Sequence, residues 1–246
     1  MERKIHIGLL TVLLLLGISA GASTPQALIY RAYSEGDMAL WKRVVDRMDA
    51  RPEKSSRFML ELVNYQYGYI AWAIGNERTD EARNYIQRAD KYLDTLEGRG
   101  YRLADVYAYR AALLGFQISI TPHRTPMLGP RSMRYARRAV EADPNAYMGH
   151  VQLGHIAYFM PAIMGGSKEQ AIQHYLNALR RLVGDGEPPE NEWNYLNLLI
   201  TIGQAYQAVE NYTMAKRFYL TVLRIVPDFA WVRDDLMPAL QTEMNQ

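Results

Sequence analysis

The chain has 246 residues, 28 basic against 26 acidic side chains, and no cysteine. Without cysteine there can be no disulfide, no thiolate metal site, no thiol catalysis and no lipid attached through a cysteine. The near balance of charge leaves no strong net field to recruit nucleic acid or an anionic membrane.

The N-terminus opens with Arg3 and Lys4, followed by an apolar run from Ile7 to Ile18 and the small residues Ser19-Ala20-Gly21-Ala22. This is the three-part layout of a secretory signal over 1–22, with Ala20-Gly21-Ala22 as an A-x-A cleavage site. An uncleaved anchor is the alternative, but a run of about a dozen residues falls short of the roughly 20 that cross hydrocarbon. The expectation is an exported protein, periplasmic or secreted, with no stable membrane insertion after cleavage. Removing Glu2, Arg3 and Lys4 takes the 28 basic residues to 26 and the 26 acidic ones to 25, a net charge of +1.

From residue 23 onward, apolar residues recur at three- and four-residue spacings, the period of amphipathic helices, and strand signals are weak throughout. Residues 23–60 read as a cap of a short helix, a Gly36-Asp37 turn and a second helix. Residues 61–229 divide into about four helix pairs. Gly68 with Ala82, Ile86 and Ala89 marks the first, and Ala112 with Ser132, Ala136 and Ala139 the second, ended by Asp143-Pro144-Asn145. Gly154 with Ala171, Tyr175 and Ala178 marks the third. The stretch LNLLITIGQAYQAVENYTMAKRFYLTVLRIVPDF, 196–229, gives the fourth and clearest, with Gly203 and Ala215 small where two helices must approach, Asn211 at the turn and Pro227 closing the unit. The second and third pairs carry enlarged turns, which predicts projecting rims at Pro122–Pro130 and Pro161–Gly166. Pro188 and Pro189 are expected to start the next helix. Residues 230–246 read as a capping helix, with Asp228 at its start and Pro238 kinking or shortening it.

The 34-residue unit 196–229 resembles the tetratricopeptide repeat (TPR) family at nearly every consensus position. The resemblance extends over about 61–229 and implies one all-α, α-solenoid domain of antiparallel helix pairs, about eleven helices in all. It also implies that the first helices of successive pairs line a concave groove. The groove positions are then Tyr65, Tyr69 and Trp72 in the first pair, Tyr109 and Phe116 in the second, His155, Tyr158 and Phe159 in the third, and Asn197 and Gln204 in the fourth. TPR modules that clamp chaperone C-termini place Lys, Arg and Asn at such positions, whereas this chain has Tyr65, Tyr69, Tyr109 and Leu113. The stretch PAIMGGSKEQAIQHY also looks like a turn of periplasmic TPR proteins associated with tripartite TRAP transporters, although those carry a lipid-attachment cysteine that this chain lacks.

Chemistry is sparse. His123, His150, His155 and His174 follow the signal, and the five-residue step from His150 to His155 does not share a helix face as a zinc pair would. There is no G-x-S-x-G, H-E-x-x-H or nucleotide-binding glycine pattern. Gly165-Gly166-Ser167-Lys168 lacks the phosphate-loop spacing. Ser167 with Gln170 instead forms an S-x-x-Q capping box that uses the same amides. Arg137-Arg138 and Arg180-Arg181 read as complements to helix dipoles. The sequence therefore points away from an enzyme and calls for no cofactor and no metal. It points to a binding or adaptor protein of the bacterial envelope that holds a peptide, a protein segment or a small apolar ligand in an aromatic groove. The alternatives are a structural scaffold and an accessory subunit of a solute transporter; no nucleic-acid partner is expected.

Overall fold

A computed structural model describes residues 23–245 and builds them from 11 α-helices, with no strand among the described residues. They are α1 (Pro25–Glu35), α2 (Met38–Asp49), α3 (Ser56–Gly75), α4 (Thr79–Gly98), α5 (Leu103–Ile120), α6 (Thr125–Ala142), α7 (Tyr147–Phe159), α8 (Lys168–Val183), α9 (Trp193–Gln207), α10 (Tyr212–Ile225) and α11 (Met237–Met244). The expected signal at 1–22 lies outside the described residues.

Side-chain caps fix many of the boundaries by accepting from amides that the first turn leaves free. Thr24 accepts from the amide of Ala27, Asp37 from Leu40, Ser55 from Phe58 and Asn211 from Met214, at 2.8–3.2 Å. Gly36 ends α1 at φ +73°, a left-handed conformation that costs glycine little. The Gly36-Asp37 turn is thus built as expected.

Several expectations are corrected. Pro188 and Pro189 do not start α9, which begins at Trp193 behind a Glu192 cap and leaves both prolines in the connection. Asp228 caps nothing, because its carboxylate pairs with Arg233 at 3.4 Å. The last helix enters through a π-helical stretch, Trp231–Leu236, that runs directly into α11, and Pro238 lies just past the junction. The rim at Pro122–Pro130 is mostly helix: after one 3₁₀ turn at Pro122–Arg124, α6 starts at Thr125 and runs through Pro130. The added residues lengthen helices rather than a loop.

The helices pack as consecutive antiparallel pairs, α1 with α2 through α9 with α10, each pair leaning on the next. Glycine sets the separation within two of them. A Cβ on Gly154 would run into the Tyr175 ring, and one on Gly203 into the Tyr219 ring, so each pair closes by seating a tyrosine of its second helix on a glycine of its first. In the α5–α6 pair the small residue Ser132 does this work and donates to the carbonyl of Ala111 at 2.9 Å. Gly68 departs from the scheme. Its missing side chain makes room for Trp41 and Trp193, which a Cβ there would meet at 2.6 Å and 2.8 Å, from α2 and α9 rather than from its partner α4.

That exception closes the stack. Trp193 meets Trp41 edge-on at 5.0 Å and Tyr33 of α1 at 5.7 Å, and the Tyr33 hydroxyl donates to Asn197 of α9 at 3.0 Å. The α1–α2 pair and the α9–α10 pair are therefore in direct contact across the inner face.

The Gly154→Ala variant should lose about 1–3 kcal/mol of stability to overpacking against Tyr175. Gly115→Ala, in the same helical setting but with open space where the methyl would go, should gain about 0.5–1 kcal/mol. Urea unfolding of both variants beside the wild type checks the contrast; equal effects would dissolve the glycine–tyrosine account.

Candidate functional site

The inner face of α3, α5, α7 and α9 is filled by its own side chains. Tyr67 of α3 lies at its centre, with ring centroids 5.8 Å from Tyr109, 5.5 Å from Phe116 and 6.3 Å from Trp193. Beside it, Asn64 accepts from the Tyr109 hydroxyl at 2.9 Å and from the Asn194 amide at 3.1 Å, joining α3, α5 and α9. The open groove expected between the first helices is thus occupied by a core.

The ten residues expected to line it fall into separate places. Tyr65 and Tyr69 are buried, with hydroxyls donated to Glu61 at 2.8 Å and Glu81 at 3.0 Å, and Tyr69 packs on Tyr85 of α4. Trp72 is half-buried beneath the Arg78 guanidinium. Tyr69 and Trp72 look toward α4 and the turn before it, because α3 is turned so that Asn64, Tyr67 and Gly68 face inward. Tyr109 and Phe116 do belong to the inner cluster. Asn197 is taken up by Tyr33, and Gln204 is half-buried on α9. Tyr67, Trp193, Asn64 and Asn194 are inner-face residues that the repeat frame misses. The only signal for Trp193 is its position directly after the proline-rich connection.

His155, Tyr158 and Phe159 come together at the end of α7. His155 is partly buried, with Nε2 3.3 Å from the Tyr67 hydroxyl and Nδ1 2.8 Å from the Tyr175 hydroxyl. A neutral imidazole has one donor and one acceptor nitrogen, so two hydroxyls satisfy it completely. Burial pushes its pKa down to about 4, and burial also pushes the Tyr67 phenol up to about 12. His155 is therefore a neutral link between α3, α7 and α8, with neither nitrogen free.

From this link the chain runs out to the surface. Phe159 stacks edge-on against Tyr158 at 4.9 Å and is 77% exposed, and Ile163 and Met164 in the following turn are 97% and 66% exposed. Monomeric surfaces carry isolated apolar residues routinely, but not three large ones gathered on one short turn. The turn itself is tightly specified. Met160 is extended ahead of Pro161, as a residue before proline prefers. Gly165 takes φ +93°, and a Cβ on Gly166 would drive into the Met160 carbonyl oxygen. Ser167 caps α8 by accepting from the Gln170 amide at 3.1 Å. The reciprocal half of the capping box is not made: the Ser167 amide donates to Ala157, and its hydroxyl donates to Glu169. These bonds leave Ser167 no free group for a phosphate.

A second concave feature lies elsewhere. A cleft of about 500 Å³ opens between Tyr30, Pro188, Pro189, Tyr195, Arg224 and Ile225, and none of the ten expected residues lines it. It is a gap between α1, α9 and α10 where the 184–192 connection passes. No cluster of three or more potential metal-binding His, Cys, Asp or Glu residues occurs among the described residues.

No protein-family model matches the chain, and no curated protein matches it. Among solved structures it resembles the HusA haemophore from Porphyromonas gingivalis, with a TM-score of 0.56 and 18% identity over 76% of this chain and 94% of that one. BtubC (BKLC) from P. vanneervenii aligns over 80% of this chain and 76% of that one at 16% identity, and its TM-score of 0.38 carries no argument. At such identities the likeness concerns the fold alone.

The depressed pKa of His155 has a consequence for stability. The unfolded chain takes up this proton near the ordinary value of 6.5 and the folded chain only near 4, so stability is full above pH 6.5 and falls as pH drops toward 4. The loss should be about 1–3 kcal/mol. Burial depresses His150 and His174 in the same direction. His155→Gln, which retains a donor and an acceptor, should flatten but not abolish the fall in urea titrations between pH 7 and 4.5; an unchanged slope would mean that His155 does not titrate as described.

Proposed function

We propose that this chain is a non-enzymatic binding protein of the bacterial cell envelope, and that it holds a flat apolar small molecule against the shelf of Tyr158, Phe159, Ile163 and Met164. The observation that carries this reading is the shelf itself, three exposed large apolar side chains beside a half-buried tyrosine. Covering a side chain of this size gains about 1.5–3 kcal/mol, so the shelf supplies part of a binding free energy and burial of the ligand's own apolar face must supply the rest against the cost of association. The backbone of the turn is fixed by Pro161, Gly165 and Gly166, so the shelf is pre-organised.

The same proposal includes export, motivated by the signal-like N-terminus, and kinship with TPR proteins, motivated by the match over 196–229 and by the glycine–tyrosine seats at Gly154 and Gly203. A peptide or protein segment bound in a central groove is a weaker reading now that side chains fill the inner face. No helix among the described residues is long and apolar enough to cross a membrane.

The fold neighbour named a haemophore makes haem the first probe. The residues present suit its apolar faces, which Phe159, Tyr158, Ile163 and Met164 could flank. They offer no axial ligand from His155, whose two nitrogens are both engaged. Contact would thus rest on stacking and burial, and the reading extends to other flat apolar molecules of similar size.

Haem titrated into the purified protein and followed by its absorbance should bind saturably, and Phe159→Ala/Ile163→Ala should raise Kd by about 100-fold, the equivalent of two lost apolar contacts. Both side chains are exposed, so the variant should keep its helicity. Absence of saturable binding, or an affinity indifferent to the double substitution, overturns the reading. Recovery from cells of a stoichiometric protein complex with no bound small molecule would favour the scaffold alternative.

A further inference from the structure

Charge on this molecule is segregated in a way that its near-zero total hides. Between residues 121 and 140 there are five arginines, Arg124, Arg131, Arg134, Arg137 and Arg138, and no Asp or Glu. All five are exposed, and none joins an ion pair among the described residues. On α4 and α5, by contrast, arginine is paired: Arg110 meets Asp90, Asp94 and Glu97 at 2.6–3.0 Å, and Arg88 meets Asp46 and Asp49.

The arginines share a face. Leu128, Ser132, Ala136 and Ala139 are the buried residues of α6. Met127, Arg131, Arg134 and Arg138, spaced four, three and four residues apart, form the opposite stripe, with Arg124 one turn ahead and Arg137 alongside. Arg138 is partly occupied, since its guanidinium lies 4.0 Å from the Tyr107 ring centre and donates to the Tyr107 hydroxyl at 2.7 Å. It does not complement the helix dipole, as its sequence position suggests, because the last turn of α6 carries no basic residue. The other four reach into solvent along roughly 21 Å of helix.

We infer that this face of α6 is a peripheral docking surface for an anionic phospholipid bilayer. Arginine forks match phosphate oxygens and are less strongly hydrated than lysine. Exposed Met127, at the N-terminal end of the stripe, can enter the interface beside them. A protein partner of standard size would need a central apolar or aromatic anchor, and the stripe has cations in its middle and its one apolar residue at its end. A flat, phosphate-dense surface fits a row of this kind better. The inference does not draw on the Phe159–Met164 shelf, so each can fail without the other.

The test is co-sedimentation of the full chain with vesicles of phosphatidylglycerol and phosphatidylcholine, against vesicles of phosphatidylcholine alone. Binding should require the anionic lipid, weaken with salt, and fall by about 100-fold in Arg131→Gln/Arg134→Gln/Arg137→Gln, given the attraction of each basic residue to an anionic surface. Far-UV circular dichroism and haem titration of the variant should be unchanged, since the three side chains touch neither core nor shelf. Equal binding to both vesicle types, no binding, or binding that survives the substitutions overturns the inference. Capture by poly-glutamate without vesicle binding would assign the face to an acidic protein and overturn it as well.

Discussion

The insertion of Trp193 of α9 against α1, α2 and α3 is the contact on which the rest of the architecture depends. A stack of helix hairpins by itself leaves a concave face and two apolar ends that need covering. Here Trp193, the first residue of α9, reaches across the inner face to Trp41, Tyr33 and Tyr67 and sits over the vacancy at Gly68. Aromatic pairs of this kind contribute about 0.5–1.5 kcal/mol each beyond the area they bury. Several such pairs converge on one side chain, so the inner face becomes a core and α1 and α2 are held against α9. Any ligand is thereby pushed to the edge or the outside of the stack.

How much of this the sequence declares depends on the range of the interaction. Short-range signals are read well. The helix count, the Gly36-Asp37 turn, the end of α7 at Pro161, the cap at Ser167 and the close approach at Gly154 and Gly203 all follow from residues within a few turns of one another. The rotation of α3 does not. Periodicity says that Tyr65, Tyr69 and Trp72 share one face, but not whether that face looks into the stack or toward α4. The answer is set by Gly68 meeting Trp193 and by Asn64 meeting Asn194, 130 residues apart. The groove positions expected on α3 follow from the repeat frame, and a frame of local spacings carries no information about a closure that distant. The shelf is half legible: the repeat frame singles out Tyr158 and Phe159, though for the concave groove, and the enlarged turn predicts a projection, while the exposure of Ile163 and Met164 depends on how that turn folds.

The α7–α8 turn separates what a backbone needs from what it does not. Pro161, Gly165, Gly166 and Ser167 each meet a stated geometric demand: stopping α7, taking a left-handed conformation, passing the Met160 carbonyl and capping α8. Residues 159, 163 and 164 meet no such demand. Polar side chains there would leave every backbone bond of the turn intact and would cost little burial. Large apolar side chains in water are the unfavourable choice at those positions, and the stability of the fold offers no reason for them. That asymmetry turns an enlarged turn into a candidate surface.

Net charge misleads for a related reason. It is a sum, whereas the potential felt by a partner falls off over about 8 Å at physiological ionic strength, so only the local arrangement counts. The acidic residues Asp46, Asp49, Asp90, Asp94 and Glu97 of α2 and α4 gather around Arg88 and Arg110, which offset part of their charge and leave that side of the fold acidic. The arginines of α6 have no such partners, so a chain with 28 basic and 26 acidic residues presents one distinctly cationic face. A balanced composition rules out a uniformly charged molecule; it does not rule out a charged surface, and placing five arginines in a segment without one acidic residue is what produces such a surface.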